Sequence, residues 1–82
     1  MSERNTRLGK QTDIPRLVKE LRNLTGLTQE KLAVQLGVTF ATVNRWENGH
    51  VLPSPLALNR VEGLLLKLGK RGNRLRETYF RQ

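Results

Sequence analysis

Apolar residues begin to recur at helical spacing at Ile14, where Ile14, Leu17, Val18, Leu21 and Leu24 follow an i, i+3, i+4, i+7 stripe. Asp13 stands in position to cap this helix, Pro15 suits its first turn, and Gly26 ends it. A second helix opens on Thr28 as N-cap, with Leu27 and Leu32 spaced as a hydrophobic staple, and stops at Gly37. Leu32, Ala33 and Leu36 form its inner stripe. The same device then repeats: Thr39 caps a third helix, Val38 and Val43 make a second staple, Trp46 continues the buried face, and Asn48-Gly49 closes it. Ser54-Pro55 starts a fourth helix running to about Leu68, with Ala57, Leu58, Val61, Leu64, Leu65 and Leu68 on one face. Leu56 and Leu66 fall off that face. Gly69 and Gly72 break the pattern, and residues 73–81 have the makings of a short last helix with Leu75, Thr78 and Tyr79 on one side. A helix of that length is marginal alone. No alternating run argues for a sheet, so the expected fold is all-α, a compact bundle of four to five short helices.

Before Asp13 the chain is polar and without apolar period. Residues 1–12 therefore read as a flexible arm, residues 13–68 as the folded domain, and residues 69–82 as a basic tail. Eighty-two residues make one domain. Fifteen Lys and Arg against seven Asp and Glu leave a net charge of +8. A field of that sign favours polyanions. Lys67, Lys70, Arg71, Arg74, Arg76 and Arg81 against Glu77 place +5 of the +8 after residue 66. The chain has no cysteine and one histidine, His50, which leaves little material for a metal site or a nucleophilic triad. The stretch from Leu32 to Asn44 lacks charge but is too short to span a bilayer. No basic-then-apolar leader opens the chain. No Gly-rich phosphate loop and no His-Glu-x-x-His run occurs. The expectation is a non-enzymatic, cofactor-free, basic binding domain in the cytoplasm.

Two capped helices joined by a glycine-containing turn are how a helix-turn-helix is built. Gly26-Leu27-Thr28-Gln29-Glu30-Lys31-Leu32-Ala33, then Leu36-Gly37-Val38-Thr39, then Val43-Asn44-Arg45-Trp46-Glu47-Asn48-Gly49 resemble the Cro/cI (Xre) helix-turn-helix family of bacterial and phage regulators. Pro53-Ser54-Pro55 and the leucine-rich helix after it fit as well, so the resemblance covers roughly residues 14–68. It implies a lambda-repressor-like fold and a recognition helix, 39–48, that enters the major groove of double-stranded DNA. By the same resemblance Gln29 holds a DNA phosphate and braces the recognition helix, while Thr39, Thr42 and Asn48 match phosphate-contacting positions. Phe40, Ala41, Asn44 and Arg45 occupy positions facing base edges, and Arg22 and Glu47 match a partly buried ion pair.

Phe40 and Ala41 depart from the polar residues usual at these positions and can offer only apolar contact, such as to a thymine methyl. That shifts weight to Arg45, which fits guanine O6 and N7 bidentately, and to Asn44, which fits adenine N6 and N7 if it points outward. Phe40 has two further readings open, packing on a neighbouring helix or meeting a protein partner. Trp46 reads as core, His50 as a loop residue, and Thr28 and Thr39 as caps first. The tail either tracks DNA or docks Tyr79-Phe80 on the fourth helix or a second subunit. The leading expectation is a sequence-specific transcriptional repressor, acting as a monomer or homodimer. Two others stand beside it: an antitoxin that also holds a toxin, and a protein-interaction module on the same scaffold. Membrane binding is disfavoured, because the tail lacks a sustained amphipathic face.

Overall fold

The computed structural model describes residues 13–80, which form five helices and no strand. The N-terminal arm expected over residues 1–12, and Arg81 of the tail, lie outside the described residues. Helix α1 (Ile14–Thr25) buries Ile14, Leu17, Val18 and Leu21, as its stripe requires. Asp13 occupies the N-cap position, yet its side chain makes no capping hydrogen bond. Pro15 and the bond from Leu17 N–H to Asp13 C=O (3.0 Å) start the helix instead.

Helix α2 (Gln29–Leu36) and helix α3 (Phe40–Glu47) are capped as their sequences predict. The Thr28 hydroxyl accepts from Lys31 N–H, and the Thr39 hydroxyl accepts from Thr42 N–H, each at 3.1 Å. Between them Gly37 adopts φ 71°, a left-handed conformation that side chains resist. The guanidinium of Arg60 occupies the space beside it, with Nη1 2.1 Å from where a Cβ on Gly37 would stand. That guanidinium donates to the Leu36 carbonyl at 3.0 Å, tying the turn to helix α4 (Pro55–Lys67). Ser54 caps α4 by accepting from Ala57 N–H at 3.1 Å.

Helix α5 (Lys70–Tyr79) begins three residues before the expected start, and Gly72 lies inside it rather than breaking it. The cause is tertiary. A Cβ at Gly72 would lie 2.1 Å from the Leu65 carbonyl oxygen, so the absence of a side chain lets α5 cross α4 backbone to backbone. Beyond that crossing Leu75, Tyr79 and Phe80 are buried in the same core as the rest of the domain. Thr78, expected on the inner side, is exposed and donates back to the Arg74 carbonyl. The aromatic pair thus docks on its own chain, against α1 and α4. Two tail cations have intramolecular partners: Arg71 donates to the Leu24 carbonyl at the end of α1, and Arg76 lies 3.7 Å from Glu62.

The core gathers Val43 and Trp46 of α3, Leu32, Ala33 and Leu36 of α2, and Ala57, Val61 and Leu65 of α4 around α1. Helix α3 packs on α1 and α2, while α5 packs on α4 and α1. The outer face of α3 is left uncovered by this arrangement. Leu56 and Leu66 are exposed, as their off-face positions predict. No helix of the described residues is long and apolar enough to cross a membrane.

Candidate nucleic-acid interface

Helix α3 has two sides of opposite character. Val43, Trp46 and Glu47 are buried. Phe40, Ala41 and Arg45 are exposed, with half of the Phe40 surface open to solvent. Phe40 therefore does not tuck fully against a neighbouring helix, the packing alternative its sequence position left open. Thr39 and Thr42 share a hydroxyl–hydroxyl bond of 2.9 Å at the helix start. The first N–H groups of any α-helix lack intrahelical partners, so those of α2 and α3 present small anion-attracting ends beside this face.

Beneath the exposed face runs a continuous line of polar side chains joining three helices. Arg22 Nη1 on α1 donates to both Glu47 carboxylate oxygens at 3.1 and 3.0 Å. The same guanidinium uses Nε on the Leu27 carbonyl at 3.3 Å. Gln29 Nε2, at the first position of α2, donates to Glu47 Oε1 at 3.0 Å. Asn44 Nδ2 donates in turn to Gln29 Oε1 at 3.3 Å, and Asn48 Nδ2 donates to Asn44 Oδ1 at 3.0 Å. Glu47 is the anchor. Its side chain is only 6% exposed, while that of Arg22 is 30% exposed. Burying a carboxylate to that degree is costly without hydrogen bonds, and Glu47 accepts three, two from Arg22 Nη1 and one from Gln29 Nε2.

The structure brings together the eight residues expected to contact DNA, since all lie on α3, its two caps, or the first turn of α2. It divides them in two. Phe40, Ala41 and Arg45 face solvent, whereas Gln29 and Asn44 are half-buried in the polar line. Sequence reasoning found the Arg22–Glu47 pair but not the Gln29–Asn44–Asn48 extension of it. Arg60 was also missed. A long cation four positions after Leu56 on an exposed flank gives no local hint that it will reach across to Gly37.

A family model described as helix-turn-helix matches residues 18–65, more than half of the chain and all of α2 and α3. The chain belongs to the helix-turn-helix family, of the Cro/cI type. A curated protein of Methanothermobacter thermautotrophicus, named an uncharacterized HTH-type transcriptional regulator, is 42% identical over 45 residues. That similarity covers 55% of this chain and 65% of the relative, so the chain spans just under two thirds of the relative's length. No solved structure matches. Among the described residues of this helix-turn-helix domain, no group of three His, Asp or Glu side chains is placed to hold a metal ion. A groove of about 640 Å³ between α1 and α5 is lined by Asp13 and Glu20 as well as Arg16, Arg71 and Arg74, so it presents no surface of one sign.

Proposed function

We propose that this helix-turn-helix protein is a sequence-specific, double-stranded-DNA-binding transcriptional regulator acting as a repressor. The observation that carries the reading is the two-sided character of α3: its inner face is fixed by core and polar line, and its outer face carries Phe40, Ala41 and Arg45 in solvent. A single α-helix fits the major groove, where each base pair has a distinct edge. Arg45 reads a guanine through O6 and N7, worth about 1–3 kcal/mol of discrimination. Phe40 and Ala41 meet thymine methyl groups. Gln29, Thr39, Thr42 and Asn48 hold phosphates around the helix, and the Arg22–Glu47 pair fixes its tilt. If two copies bind, their half-sites lie about one helical turn, roughly 34–36 Å, apart.

In-vitro selection from a random duplex library at near-physiological salt tests this, with Arg45→Ala in parallel. The expected result is a motif containing guanine that the variant loses or relaxes. Binding to all duplexes alike, with no motif, would refute sequence reading. A second reading is favoured by the exposed apolar side chains Leu52, Leu56 and Leu66. In it one or more of these side chains contacts a protein partner, such as the toxin of a toxin–antitoxin pair, while α3 still binds the operator. A toxin-like reading frame beside the gene, and complex formation that Leu56→Asp abolishes, would support it. DNA affinity is then unchanged by that variant.

A further inference from the structure

Asn44 stands at the middle of the proposed recognition helix, where an amide suggests adenine recognition. Its geometry is that of an internal connector. Nδ2 is bonded to Gln29 Oε1 (3.3 Å), Oδ1 is bonded to Asn48 Nδ2 (3.0 Å), and the residue is half-buried, between exposed Ala41 and Arg45 on the same helix. Reading adenine needs both amide atoms outward, one donating to N7 and one accepting from N6. Turning them outward would exchange two hydrogen bonds for two. It would also leave the half-buried Gln29 Oε1 without its donor.

The consequence for Gln29 is definite. Its carbonyl oxygen is taken by Asn44 and one Nε2 proton by Glu47 Oε1. An amide nitrogen carries two protons, so a single donor remains. A lone N–H whose own amide oxygen is engaged suits an anionic oxygen better than a base edge, which pairs donors with acceptors.

We propose that Asn44 is a positioning residue: it holds the Gln29 amide with its remaining N–H outward toward a backbone phosphate, and it reads no base. This rests on the DNA-binding reading above. Sequence discrimination then falls to Arg45, Phe40 and Ala41 alone, with Asn44 contributing affinity that is equal for every sequence.

The test is repeated selection with Asn44→Ala. It is followed by anisotropy titrations of wild type, Asn44→Ala, Gln29→Ala and the double variant on the selected site and on a scrambled duplex. Losing one net hydrogen bond predicts a drop of roughly 2- to 12-fold on both duplexes, with the same motif recovered. The double variant should bind no more weakly than Gln29→Ala. A scan of single methylphosphonate linkages, which remove one phosphate charge, should find a position that weakens wild type and leaves Asn44→Ala unaffected. Asn44→Asp is the isosteric control: it accepts from Asn48 but offers Gln29 no donor, so it too should be blind to that linkage. A change of base preference at one position, or losses that multiply in the double variant, would overturn the proposal. Absence of any motif with wild type would instead overturn the DNA reading, and this inference with it.

Discussion

Replacing Glu47 by alanine removes the acceptor of three charge-assisted contacts, two from Arg22 Nη1 and one from Gln29 Nε2. Breaking a fully buried pair from one side costs about 3–5 kcal/mol, mostly because the surviving charge is left unpaired. Arg22 keeps 30% of its side-chain surface in water, which lets solvent take up part of that loss. The expected destabilisation is therefore roughly 2–3 kcal/mol, set against a total stability of about 4–12 kcal/mol for a chain of this size. At about 4–8 °C per kcal/mol, Tm should fall by roughly 10–20 °C with the variant still folded at 25 °C. Glu47→Gln keeps an acceptor and the side-chain volume, so about half of the loss is expected. Arg22→Ala should cost less than Glu47→Ala, and the two together less than their sum, since each removes the other's partner. Thermal unfolding followed by circular dichroism, at low salt and at 1 M NaCl, supplies the numbers. The Glu47 effect should persist at high salt, unlike that of the exposed Arg16–Glu20 pair. A Tm drop below about 4 °C, or one that salt erases, would place Glu47 with surface ion pairs and refute the reasoning.

Gly72→Ala should destabilise by about 1–2 kcal/mol. Overlap with the Leu65 carbonyl, where a Cβ would stand 2.1 Å away, outweighs the gain in helix propensity; a rise in Tm would refute the close crossing. Tyr79 has its phenol pushed above the ordinary 10.0, first by burial, then by the Glu20 and Asp13 carboxylates, with Arg16 pulling the other way. Because the folded state favours the protonated phenol, this contribution is intact below about pH 10 and is lost as pH rises through the folded-state value. Tyr79→Phe should accordingly show a shallower fall of Tm above pH 10, and ultraviolet titration of the single tyrosine should give a midpoint above 10.0. Thr39→Ala should cost about 1 kcal/mol through its lost cap, measurable as a Tm drop, with the Thr28→Ala loss comparable.

Local chemistry made most of the framework legible. The hydroxyls of Thr28, Thr39 and Ser54 each cap the helix that follows, because a cap needs only a residue three positions away. The inward faces of α1 to α4 followed from period alone, and so did the exposure of Leu56 and Leu66. Asp13 shows the limit of a cap read from residue type, since the bond also needs extended backbone and Asp13 has ψ 38°. The end of the chain was harder. Gly72 reads as a breaker when only neighbours are considered, and becomes a helical residue once α4 lies against it. Tyr79 and Phe80 owe their burial to that same long-range crossing. Within the site, the Arg22–Glu47 pair was accessible through family resemblance. The link from Asn44 to Gln29 was not, since residues fifteen positions apart meet only when the turn angle is known.

Arg60 bridges α4 to the last carbonyl of α2, and its guanidinium lies over Gly37. The joint between α2 and α3 is thus tied from outside to a third helix. Opening it would cost that hydrogen bond. A ligand meeting α3 then meets a joint already tied in place before contact. Capture should then be a matter of encounter: fast, concentration-dependent without saturation, and sensitive to ionic strength through the charge of +8 rather than to any internal rearrangement.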